Sequence, residues 1–260
     1  MEYKYRTFVI SDIHLGMHEC LHKELVQFLK KYLDAEYLIL NGDIVDGYQF
    51  KKKVFWKNKQ NKILKRLFNQ TIKKETKIHY IIGNHDDFLM PFNNMNLSNI
   101  TISKILIFDG IKGKYLITHG DIFDKHIPQY LYYLGDTLYT GLLYINKIIN
   151  KIRNFFGYSF FSYSLYLKRK IKSINSWCNK FETRLATFAK EKNTIGVICG
   201  HIHKPEIKII DGIQYLNSGD WVESGSVLVE HWNGEWEILY YNSEEFMKKD
   251  LDNDLDDKDF

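Results

Sequence analysis

The chain has little cysteine: Cys20, Cys178 and Cys199 are odd in number and stand apart, with no CxxC or other zinc-knuckle spacing. That arrangement argues against a disulfide framework and against a structural zinc site. Absent too is any charge-free run of roughly 18 or more apolar residues, the length a membrane-spanning helix requires. The opening residues MEYKYRTFVISDIHLG hold one short apolar run, at 8–10, closed by charged residues, so no secretory leader is expected. These absences point to a cytoplasmic protein.

What is present is ordinary for a globular enzyme. Across 260 residues, 45% are hydrophobic and 26% charged, enough to bury a full core in one domain or a domain with an insertion. The formal charge of +4 conceals an asymmetry, because the closing stretch DLDNDLDDKDF is strongly acidic while the body is basic. A basic body favours anionic partners such as phosphorylated substrates, nucleic acid or an anionic membrane surface. The end of the chain, 248–260, has too few apolar residues to pack and reads as a disordered, solubilising tail.

Short β-branched or aromatic runs at 7–10, 37–40, 78–82, 115–118 and 195–199 each stop at a polar cluster: SDIHLG, NGDIVDG, GNHDD, HGD and GHIHKP. Five strands delivering polar residues from their C-terminal ends is how open α/β sheets build sites. Helical periodicity fills 21–33 and 59–73, and Asp211-Gly212 and Asn233-Gly234 suit hairpin turns between short strands after residue 205. The stretch 122–192 differs, with 12 Lys or Arg against 4 Asp or Glu and many aromatics at helical spacing. It reads either as a helical insertion over the site or as amphipathic core helices with solvated basic faces.

The chemistry sits in the polar clusters. Asp12 and His14 lie two apart, so at a strand end both can face one side. Asp43, Asn84, His119, His201 and His203 follow the same order of strand first, ligand after. Carboxylate, imidazole and amide oxygen together suit borderline divalent ions such as Mn²⁺, Fe²⁺ or Zn²⁺. Seven ligands exceed one open site and fit two metals about 3.5 to 4 Å apart, with a bridging carboxylate and a shared water as nucleophile. His18, His22, His79, His126 and His231 belong to no cluster and read as surface or packing residues.

The series DIH, GDIVD, GNHD, H and GHIH, in that order, resembles the calcineurin-like metallophosphoesterase family over about residues 6–230. The resemblance implies an α/β fold, a four-layer αββα sandwich, with the core at 1–121 and 193–247 and a helical cap at 122–192. It implies that Asp12, His14, Asp43 and His203 hold a first metal, and Asp43, Asn84, His119 and His201 a second. His85 would then donate a proton to the leaving oxygen or stabilise phosphoryl charge. Asp86 would orient His85, and Asp46 and Asp121 would support ligands from behind.

Within that family, SDIHLG, THGDIFD, GHIHKPEI and SGDWVESGSVLVE look most like the UDP-2,3-diacylglucosamine pyrophosphohydrolases of lipid A synthesis. That branch implies a nucleotide-sugar lipid substrate and peripheral contact with an anionic membrane at the inner face of the cell membrane. The branch carries Arg at the position of His85, which counts against a direct transfer of its substrate. Two other functions stay open: a phosphodiesterase or nuclease, and a non-catalytic scaffold that binds a membrane or partner, against which the intact ligands and His85 speak.

Overall fold

The computed structural model describes residues 3–48, 58–123, 148–153, 155, 156, 158 and 172–241. Two sheets face each other. One has seven strands in the order β12-β11-β1-β2-β3-β5-β4, the other five in the order β6-β7-β8-β10-β9. The first comprises β1 (Tyr5–Ile10), β2 (Ala35–Asn41), β3 (Lys77–Ile81), β4 (Met95–Leu97), β5 (Ile100–Ser103), β11 (Ser226–Glu230) and β12 (Trp236–Tyr240). The second comprises β6 (Ile105–Asp109), β7 (Lys114–Thr118), β8 (Gly196–Cys199), β9 (Glu206–Ile210) and β10 (Ile213–Asn217).

The layers follow from the two-residue period of the strands. Phe8, Ile10, Leu38, Leu40, Ile78 and Tyr80 face outward, against Leu25, Phe28 and Leu29 of α1 (His22–Tyr32) and Ile63 and Leu67 of α2 (Asn58–Lys73). The alternate residues Val9, Ile39, Ile81 and Leu228 face inward and meet Tyr115, Ile117, Ile198 and Leu216 of the second sheet. Leu116, Val197, Cys199 and Tyr215 face out again, under Phe181, Leu185, Ala186 and Ala189 of α3 (Lys172–Glu191). Helix, sheet, sheet, helix is the four-layer αββα sandwich that the motif series implied.

The parallel run β1-β2-β3 is connected through α1 and α2, so all three strands end on one edge; β7 and β8 run parallel in the second sheet and bring theirs to the site. The hairpins fall as the turn residues suggest: Asp211 and Gly212 both have left-handed backbone (φ +47° and +82°), the conformation a two-residue β9–β10 turn demands. The short strands β4 to β6 gave no periodic signal, since β4 is wholly exposed and β5 half-buried. Most of the expected insertion 122–192, with 124–147 and 159–171 entire, and the tail 248–260 lie outside the described residues. The described end of that stretch, α3, packs as a layer of the core.

A buried carboxyl ties the layers together. Glu230 on β11 accepts from the Thr7 hydroxyl (2.7 Å) on β1 and from the Ile111 N–H (2.8 Å) in the β6–β7 turn. Glu230→Ala removes the acceptor of the fully buried Thr7 hydroxyl and of the Ile111 N–H in an exposed turn, and the expected loss is about 1 to 3 kcal/mol, read by urea unfolding. A loss under about 0.5 kcal/mol means that the tie does not hold the sheets.

Candidate metal centre

Asp12 and His14 follow β1, Asp43 follows β2, Asn84 and His85 follow β3, His119 follows β7, and His201 and His203 follow β8. The loops are stitched to one another through their backbones. The Asp12 N–H donates to Gly42 O (3.0 Å), His14 N–H to Asp43 O (2.9 Å), and Gly200 N–H to His119 O (3.1 Å). Asp12, His14, Asp43, His201 and His203 all have left-handed φ, between +51° and +67°. Each such residue costs on the order of 1 to 3 kcal/mol and persists only where the surroundings over-determine it, a pattern that gathers at functional sites.

Two carboxylates organise the centre, and each divides its oxygens in the same way. Asp12 Oδ2 accepts the His201 N–H (3.1 Å), while Oδ1 faces His203 Nε2 (3.2 Å), His119 Nε2 (3.9 Å) and His14 Nε2 (4.0 Å). Asp43 Oδ1 accepts the His85 N–H (2.8 Å), while Oδ2 faces His119 Nε2 (3.2 Å), His14 Nε2 (3.8 Å) and His85 Nε2 (3.9 Å). The tethered oxygens explain two glycines. A Cβ at Gly83 would collide with the Asp43 carboxylate, and one at Gly200 with that of Asp12.

The charges follow from this crowding. Burial pushes the Asp12 carboxyl up, yet His119 and His203 outweigh it and hold the group at about 2. Asp43, equally buried, is held well below the usual carboxylate range by His119 and His85. Burial likewise opposes protonation of His119, and Asp43 with Asp12 lift it to about 10. Its Nδ1–H donates to Asn41 O (2.9 Å), which turns Nε2 towards both carboxylates.

The donor set fits divalent ions. Asp12, His14 and His203 bring ligand atoms within 4.8 Å of one another, as do Asp12, Asp43 and His119, and a third group joins His14, Asp46 and His85. Asp12 Oδ1 and His119 Nε2 are buried with no hydrogen-bond partner among the described residues, which leaves both available to a cation. His201 stands edge-on to His119, ring centroids 5.2 Å apart. Asn84 lies between Gly83 and His85 at the end of β3.

The supporting residues depart from expectation. Asp86 does not orient His85: its carboxylate accepts from the Val45 N–H (3.0 Å), the Ile44 N–H (3.2 Å) and the Tyr80 hydroxyl (2.9 Å), bracing the Asp43 loop. Three residues after Asp43, Asp46 fills that place, with Oδ1 3.2 Å from His85 Nδ1 and Oδ2 3.8 Å from His14 Nδ1. Burial opposes the His85 imidazolium, but Asp43 and Asp46 outweigh it and lift the ring to about 9. The Asp121 carboxylate pairs with Lys104 Nζ at 2.8 Å, and no contact between it and a candidate ligand is seen among the described residues.

Asp220 went unread among the candidates. Its Oδ1 lies 3.8 Å from His203 Nδ1 while accepting the Val222 N–H (2.8 Å), and the one signal for it was its place in the SGDWVESG block. Of the histidines outside the clusters, His79 packs against Tyr37 and Phe108, His231 pairs with Glu237 (2.8 Å), and His22 contacts Cys20 O (3.1 Å). His126 lies outside the described residues.

The family model for calcineurin-like phosphoesterases matches residues 5–205. The UDP-2,3-diacylglucosamine hydrolase of Wigglesworthia glossinidia brevipalpis is 25% identical over 241 residues, 85% of this chain and 89% of that protein. Among solved structures, vacuolar protein sorting 29 from Cryptosporidium parvum aligns over 93% of this chain and 98% of its own at 11% identity, TM-score 0.45. A novel archaeal phosphodiesterase aligns over 90% and 98% at 13% identity, TM-score 0.43.

Two outcomes are expected. Elemental analysis of the full chain purified with Mn²⁺ should find two ions per chain, and fewer than one in Asp43→Asn; a wild-type content near zero rejects the centre. Asp46→Asn should keep its metal but lower kcat on bis(p-nitrophenyl) phosphate about a hundredfold. Because Asp46 raises the His85 pKa, its loss should also move the alkaline limb of the pH profile to lower pH. Should Asp86→Asn, and not Asp46→Asn, produce that shift, the orienting role returns to Asp86.

Proposed function

The chain belongs to the calcineurin-like phosphoesterase family, and on that premise we propose that it hydrolyses the pyrophosphate of a UDP-2,3-diacylglucosamine-like nucleotide-sugar lipid. The observation that carries the catalytic half is the paired use of Asp12 and Asp43, each tethered by one oxygen and presenting the other to a ring of imidazoles. Asp12, His14, Asp43 and His203 would hold one divalent ion, and Asp43, Asn84, His119 and His201 another, with Mn²⁺ the ion this reading favours. Bound there, such ions supply neutralisation of phosphoryl charge and a more acidic water for attack on phosphorus.

The remaining steps belong to side chains. His85 addresses the leaving oxygen: Asp46 faces its Nδ1, and that contact favours the proton that Nε2 gives to the departing group. Tyr48 stands edge-on to the His85 ring, centroids 4.8 Å apart. The carboxylates of Asp12 and Asp43 are tied into backbone hydrogen bonds, so they hold their positions as charge moves through the site.

The lipid half of the proposal is supported by similarity to the Wigglesworthia hydrolase over most of both chains and by an apolar, basic surface. Between 148 and 158, Ile152, Phe155, Phe156 and Tyr158 are exposed beside Lys151 and Arg153, a composition suited to acyl chains and an anionic membrane face. His85, in place of the Arg of the lipid-specific branch, favours a second reading in which the substrate is another phosphodiester.

One comparison separates the two. With Mn²⁺ present, a UDP-acyl-sugar should be cleaved to UMP with kcat/KM at least a hundredfold above that for bis(p-nitrophenyl) phosphate or single-stranded DNA. Selective cleavage of the DNA, with the lipid untouched, would falsify the lipid reading while leaving the phosphoesterase intact.

A further inference from the structure

A column of rings begins on α3 and ends among the candidate ligands. Trp177 lies along Phe181, centroids 6.0 Å apart and planes 23° apart. Phe181 lies along His201 at 6.0 Å and 37°, and His201 meets His119 edge-on at 5.2 Å and 74°. Phe181 is buried, and its ring sits so close beneath Gly120, the residue after His119, that a Cβ there would strike it.

The next residue of the helix grips the neighbouring loop by charge. Glu182, whose side chain is 2% exposed, places Oε1 3.2 Å from Lys204 Nζ and Oε2 2.5 Å from Lys208 Nζ. Glu206 Oε2 closes the cluster at 2.8 Å from each lysine. Lys204 directly follows His203, so Glu182 holds the far end of the loop that Phe181 touches at His201.

Core packing accounts for only part of this pair. Phe181 shares the apolar layer with Leu185, Ala186 and Ala189 and adds the contact with His201, whereas the buried Glu182 carboxylate carries a desolvation penalty that only well-placed cations offset. Two successive residues of one helix therefore reach the loops bearing His119, His201 and His203, one through ring contact and one through an ion cluster.

We propose that Phe181 and Glu182 are positioning residues for the imidazoles of His201 and His203, and that α3 thereby sets how tightly the centre holds its metal. The proposal rests on the reading of those histidines as metal ligands. Residues that orient ligands from behind typically change metal affinity about tenfold to a hundredfold when removed. Leu185, Ala186 and Ala189 show no such contact among the described residues and should affect stability alone.

The test uses the full, metal-depleted chain titrated with Mn²⁺ by calorimetry, and with Co²⁺ by visible absorption. Phe181→Leu and Glu182→Gln should each raise the Kd of at least one metal equivalent about tenfold and shift the Co²⁺ spectrum. Leu185→Ala, in the same core, should lower the melting temperature yet bind both equivalents as wild type does. Should either variant fail to fold, Phe181→Met and Lys204→Gln, the latter breaking the cluster from its more exposed end, give the same reading. Wild-type Kd and spectrum in the ring and cluster variants, or equal weakening in Leu185→Ala, overturns the proposal. Failure of the wild type itself to bind Mn²⁺ would instead overturn the metal centre beneath it.

Discussion

Asp12 and Asp43 each hold one oxygen on a backbone N–H and turn the other into a cluster of imidazoles, and the rest of the site depends on that division. A carboxylate tied by one oxygen cannot rotate away from its histidines. Left untied in a buried pocket, two acids so close together would repel each other and draw protons; tied and faced by imidazoles, both stay ionised. The glycines at 83 and 200 are the complementary half of the device, since a side chain at either would occupy the space of a tethered oxygen.

The sandwich exists, from the standpoint of the site, to bring five strand ends to one place. Parallel pairing of β1, β2 and β3 through outside helices lines up three of them, and β7 with β8 supplies the other two from the facing sheet. The left-handed backbone at Asp12, His14, Asp43, His201 and His203 turns the chain sharply as it leaves each strand. That strain is held in place by loop-to-loop hydrogen bonds such as Asp12 N–H to Gly42 O and Trp221 N–H to Asp12 O. The cost of an unfavourable φ at the ligands is thus carried by the packed layers beneath them.

Much of this was legible in the residues because strand and ligand alternate with a rule. An apolar run followed by an Asp, Asn or His beside glycine announces a strand end with a donor on it, and all seven candidate ligands come from that rule. The supporting residues obey no such rule. Asp86 sits next to His85 in the chain, yet its carboxylate is taken by Ile44, Val45 and Tyr80, while Asp46, far away in sequence, meets the ring. Adjacency along a turn says little about where a side chain points once the backbone has reversed.

By itself, then, the order of motifs determined the family and the layer scheme of the core and nominated the candidate ligands, since each rests on local chemistry and on the two-residue period of strands. Only the tertiary structure decided which carboxylate faces which histidine, that Asp220 stands behind His203, and that Phe181 and Glu182 of α3 reach the ligand loops. Those facts depend on contacts between segments distant in sequence, whose partners are chosen by the packing of whole layers. No pattern within a single segment records them.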